Sequence, residues 1–97
     1  MAKLQIISDQ DSIVPIIREA IKAKQKRVEI GVRKTEQMIR NFEKTYNLSS
    51  DRFLVDCAAE DLAGGDEDYI SWMGELKIRE ALLEELQALH AIEYIPE

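Results

Sequence analysis

From Ser12 to Tyr46 the chain carries a single proline, Pro15, and apolar residues return at helical spacing along the whole stretch. Placed at steps of about 100°, Ile13, Ile17, Ala20, Ile21, Val28, Val32, Met38, Ile39, Phe42 and Tyr46 fall within one stripe about 120° wide. This pattern predicts one amphipathic helix over 12–46. Asp11 or Ser12 offers an N-cap oxygen, and Pro15 falls in the first turn, where its missing N–H has no intrahelical partner to lose. At 1.5 Å per residue such a helix runs on the order of 50 Å. That exceeds the width of a globular domain of this size, so the helix must be a rod along which other elements pack. Lys24, Gly31 and Thr35 interrupt the stripe. Gly31, which costs about 1 kcal/mol relative to alanine inside a helix, marks the expected kink or close approach.

The remaining segments are shorter. Leu48-Ser49-Ser50-Asp51 restarts the chain with a serine cap and an acid in the first turn, predicting a short helix over 50–61. Ala63-Gly64-Gly65-Asp66 is a strong loop signal, and Asp66 or Asp68 can cap a last helix over 67–92. On that helix Trp72, Met73, Leu76, Ile78, Leu82, Leu83, Leu86 and Leu89 cover an arc near 220°, roughly twice what one neighbouring helix buries. The spare apolar surface implies a second partner: the short helix, a second copy or another protein. Residues 1–10 read as an arm. Lys3 to Ser8 alternates polar and apolar for a few residues, as a half-buried strand would, but five or six residues make no sheet alone. The arm is either a strand whose partner comes from elsewhere, such as a second copy, or simply an extended segment. The expected architecture is all-α: a single domain over 1–97, built as a long antiparallel helical hairpin with a short bridging helix and a strand-like N-terminal arm.

Composition narrows the function classes. Of 97 residues 45% are hydrophobic and 33% charged, and four glycines and two prolines are too few for the turns of a sandwich or barrel. No run approaches the eighteen or so apolar residues of a membrane span. The N-terminus lacks a signal peptide's apolar core, and the single cysteine, Cys57, forms no internal disulfide framework, so a cytoplasmic protein is expected. Charge is uneven: ten bases and six acids in residues 1–46 give +4, whereas three and thirteen in the remainder give −10. The chain as a whole therefore repels nucleic acid, although its first half can present a basic face.

No catalytic, cofactor or metal site emerges. GxGxxG, P-loop, HExxH and GxSxG patterns are missing, and one histidine, His90, cannot build a two-imidazole relay. Asp61, Asp66, Glu67 and Asp68 form the densest acidic cluster; helix capping explains it, and its spacing is not that of a calcium loop. Arg18, Lys22, Lys26, Arg33, Arg40 and Lys44 share a narrow band opposite the apolar stripe. This basic stripe is a solvated face with Glu29–Arg33 and Glu36–Arg40 pairs, a surface for an acidic protein, or a phosphate-binding surface. Tyr69 and Trp72 open the last helix, either as core residues or as anchors in a partner's pocket.

The run Tyr46-Asn47-Leu48-Ser49-Ser50-Asp51-Arg52-Phe53, then Leu62 and Asp66-Glu67-Asp68-Tyr69-Ile70-Ser71-Trp72, resembles a family of small prokaryotic antitoxin-like proteins of the TumA kind. That family has a long first helix, a Y-G-M-S-x-x-x-F turn and a G-D-D-x-D-F-x-E-W start to its final helix. The likeness covers residues 42–76. Asn47 stands for the usual Gly, Tyr69 for Phe and Ser71 for Glu, and Gly64-Gly65 lengthens the loop by one residue. The resemblance implies a non-enzymatic protein that binds and neutralises a toxin encoded beside it. With charge complementarity it points to a basic partner met by the acidic second half, with Tyr69, Trp72, Glu84 and Glu85 as contact residues. A homodimer is expected to cover the wide apolar face. The competing reading is a structural coiled-coil adaptor, with a nucleic-acid-binding regulator behind it.

Overall fold

The computed structural model describes residues 3–10, 12–56 and 65–95. Strand β1 (Lys3–Gln5) leads into α1 (Ile13–Tyr46), followed by α2 (Ser50–Asp56), α3 (Asp66–His90) and β2 (Glu93–Ile95). Helices α1 and α3 pack against each other as an antiparallel hairpin, a rod of 61 × 20 × 17 Å. Residues 57–61 of the expected short helix, Cys57 and Asp61 among them, lie outside the described residues, as do Asp11, the alternative cap of α1, and Leu62.

The seam of α1 is read most simply at a period of 3.5. Ile21, Gln25, Val28, Val32, Thr35, Ile39, Phe42 and Tyr46, spaced alternately by four and three, are each buried or half-buried. This is heptad packing, in which a slight supercoil keeps one seam on its neighbour. It corrects the 3.6-period stripe at Ala20 and Met38, which the seam rotates away from and leaves exposed. Conversely Thr35, an interruption on the wheel, is buried, and its hydroxyl proton is shared between the main-chain oxygen of Glu75 at 2.9 Å and its Oε1 at 2.5 Å. Gln25 Nε2 donates to the Leu89 carbonyl at 3.3 Å, and Lys24 Nζ lies 3.1 Å from Glu85 Oε1. Gly31 is a point of close approach: a Cβ there would lie 3.1 Å from Leu82 Cδ1.

Helix ends depart from the expected caps. Ser12 sits at the N-cap of α1 but its hydroxyl makes no capping bond, and its φ of −71° and ψ of −12° are already helical. Gly65, with φ 78°, precedes α3, and neither Asp66 nor Asp68 caps it through a side chain; both lie in the first turn, where carboxylates favour the helix dipole. At the other end of α1 Asn47 adopts a left-handed φ of 49°. Its N–H donates to Lys44 O and that of Leu48 to Glu43 O, the paired bonds that close a helix before a left-handed residue. The last helix stops at His90 rather than 92, because residues 93–95 form a strand.

That strand is the partner the arm requires. β1 pairs in parallel with β2, Lys3 opposite Glu93 and Gln5 opposite Ile95, so the pairing comes from the same chain. It ties the two open ends of the hairpin together.

Candidate functional site

Tyr46, Ser49, Phe53, Asp68 and Trp72 come together at the closed end of the hairpin. Trp72 is fully buried there, its ring stacked on Phe53 at 4.0 Å and 10°, with Phe42 at 5.7 Å and Tyr46 at 6.1 Å completing the cage. Tyr69 tilts against Phe53 at 5.3 Å. Trp72 Nε1 donates to Ser50 Oγ at 3.0 Å, which satisfies the one polar atom such a ring brings into a core. The Tyr46 hydroxyl donates to the Asp68 carboxylate. Around α2, Ser49 Oγ accepts from Arg52 N–H at 3.2 Å, as its capping position predicts, and Glu43 Oε2 accepts from Ser50 N–H at 2.9 Å. Phe53, Ser50 and Glu43 thus hold α2 against the hairpin, and the Tyr46–Asp68 bond ties α1 to α3, so among the described residues these contacts are architectural.

Trp72 is therefore corrected as a contact residue: a ring with no exposed surface has none to present to a partner in this conformation. Tyr69 is half-buried against the same core. Glu84 is exposed, whereas Glu85 is half-buried and engaged with Lys24. The structure separates the four proposed contact residues between a core and two sides of α3. Sequence reasoning missed Ser50 and Glu43, whose partners lie 22 and seven residues away with no local pattern to announce them.

Arg18, Lys22, Lys26, Arg33, Arg40 and Lys44 are all exposed along α1. The expected Glu29–Arg33 and Glu36–Arg40 pairs do not close to 4 Å; Glu29 instead faces His90 Nε2 across the hairpin at 3.9 Å. Near the open end Arg18, Lys22, Gln25 and His90, with Ile21, Leu89 and Ile92, line an open cleft of about 420 Å³. Among the described residues no three His, Cys, Asp or Glu side chains gather as a metal site would need. No helix among them is long and apolar enough to cross a membrane.

On α3 Asp66, Glu67, Glu80 and Glu84 are exposed, whereas Asp68, Glu75 and Glu85 are half-buried and bonded to α1. Leu83 remains 45% exposed, and its helical neighbours Glu80, Glu84 and Gln87 are all exposed around it. Compared with known proteins, the chain matches no family model, no curated sequence and no solved structure.

Proposed function

We propose that the protein is a non-enzymatic protein-binding module of the antitoxin-like sort, which neutralises a basic toxin made beside it by covering the toxin's surface. The observation that carries this reading is the exposed Leu83 set among Glu80 and Glu84, both exposed on α3. Carboxylates around an apolar anchor steer a cationic partner and then exclude water from the contact. The residues committed to the partner are Glu80, Leu83 and Glu84, with Tyr69 at the tip; Trp72 supports them by fixing the angle of α3. The working compartment is the cytoplasm, where a toxin acting on cellular machinery is met as it is made.

The test is co-purification of the tagged chain with the product of its adjacent gene, expressed together, and growth of cells carrying both. Wild-type protein should hold that product at one-to-one stoichiometry and permit growth. Glu80→Lys with Glu84→Lys should release it while the far-UV spectrum is unchanged. A neighbouring product that is acidic, or that stays bound to the double variant, refutes the reading in favour of a structural adaptor.

A further inference from the structure

Two faces of the hairpin remain without a partner, and they match each other. On α1, Ile16, Ala20, Ala23 and Ile30 fall at heptad spacing together with Arg27, Lys34 and Gln37, and Met38 stands one position beyond it; all are exposed, with Ile16 at 56% and Ile30 at 50%. This stripe lies about 130° around the helix from the buried seam, toward the back of α1. On α3, Ile70, Gly74, Ile78, Ala81 and Ala88 recur at spacings of four and three, with Ile70 68% and Ile78 49% exposed. Gly74 is the informative member. Glycine is a poor helix former, and here no neighbour explains it, since a Cβ would meet nothing within 4 Å. Its absent side chain makes room for something outside the hairpin.

We propose that this face is an interface between two copies of the chain, joined as an antiparallel four-helix bundle in which α1 of one copy lies on α3 of the other. Charge selects both the occupant and its orientation. Helix α1 carries nine bases and four acids, a net +5, and α3 seven acids and two bases, a net −5. A twofold axis parallel to the rod sets each positive helix on the other copy's negative one. An axis across the rod would set α1 on α1 and oppose like charges.

Such an axis also preserves height along the rod. The contacts Lys24–Glu85, Gln25–Leu89, Thr35–Glu75 and Tyr46–Asp68 show which positions share a level. By that register Met38 meets Gly74 of the second copy, Ile30 meets Ala81, Ala23 meets Ala88, and Arg27 meets Glu85. Met38 and Ile30 therefore fall on small residues of the other helix, as interdigitating layers require, while Ala23 faces Ala88 and Arg27 an opposite charge. The interface leaves the Leu83 face open, so it stands or falls separately from the toxin-binding reading.

Sedimentation equilibrium of the purified full chain tests the association. Wild type should run at twice 11.2 kDa. Ile30→Glu and Ile78→Glu, both at exposed positions of the hairpin, should weaken association by at least about tenfold with helicity unchanged. Orientation is read by mixing two single-cysteine variants in a Cys57→Ser background, Ala23→Cys and Ala88→Cys. Mild oxidation should yield mainly the mixed 23–88 disulfide between copies. A monomer at every concentration overturns the proposal, as does a dominant 23–23 cross-link, a larger oligomer, or a dimer that survives both glutamate substitutions.

Discussion

Substituting Ser50 by alanine isolates one bond in the aromatic corner. Ser50 is 6% exposed and Trp72 0%, and the Nε1–H···Oγ bond between them spans 3.0 Å. Removing the hydroxyl leaves an indole N–H inside a site without water access, at a cost of about 1–3 kcal/mol. Local helix preference acts the other way: alanine is the better helix former, and the Ser49 cap on Arg52 N–H is untouched, so any loss reports the buried donor. The control is Trp72→Phe, which removes the donor but keeps an aromatic face toward Phe53. It is costly in its own right because a smaller ring leaves a void. In that background Ser50→Ala should cost much less, giving a coupling of about 1–2 kcal/mol between the two sites. Urea unfolding followed by far-UV circular dichroism measures all four proteins, and the fluorescence of Trp72 supplies a second probe for the two that retain it. The midpoint should fall with the slope unchanged. A Ser50→Ala loss below about 0.5 kcal/mol, or an equal loss in both backgrounds, would show that the bond does not hold the corner.

Gly31 and Asn47 offer two further checks. Gly31→Leu gains about 1 kcal/mol of helix propensity, yet a net loss of about 1–3 kcal/mol is expected from overpacking against Leu82, whose Cδ1 already lies 3.1 Å from where a Cβ would stand; a variant melting at or above wild type would mean the hairpin has room there. Asn47→Gly should change stability by only a few tenths of a kcal/mol, whereas Asn47→Val should cost about 1–2 kcal/mol, because φ is 49° at that position. Thermal melts of the pair decide it, and equal stabilities would contradict a left-handed residue.

The extent of the hairpin was legible because its signals are local. Pro15 in a first turn, the Asn47-Leu48 stop and the Gly65-Asp66 restart each act within a few residues, and α1 and α3 lie within one or two residues of their expected bounds. What escaped depends on distance. Three residues at each end, too short to signal a strand, pair across nearly the whole chain, and only the hairpin brings them together. The role of Trp72 escaped for another reason. An apolar arc near 220° on α3 is too wide to say which part faces α1, so core and contact readings of the same ring were equally consistent with the wheel.

The width of that arc now has a structural meaning. A two-helix hairpin buries one seam per helix, and here that seam contains Gln25, Thr35 and Glu75 as well as apolar residues, each polar group answered by a bond across it. Such bonds fix register more than they add stability, since each net hydrogen bond contributes about 1 kcal/mol. Among the described residues of this rod, 61 Å long, six hydrophobic residues are buried to below a tenth of their surface, a thin core for that length. Stability for such a rod must come from covering more of the arc. The apolar positions outside the seam divide by side, with Leu83 among carboxylates on one and Ile78 with Gly74 and Ala81 on the other. The two sides differ in what they can accept. Carboxylates around Leu83 would repel the acidic α3 of a second copy and attract a cationic surface, whereas the small residues around Ile78 admit the close approach of another helix. The dimer and the toxin contact proposed above would use different sides of the rod, and the first would steady the hairpin that presents the second.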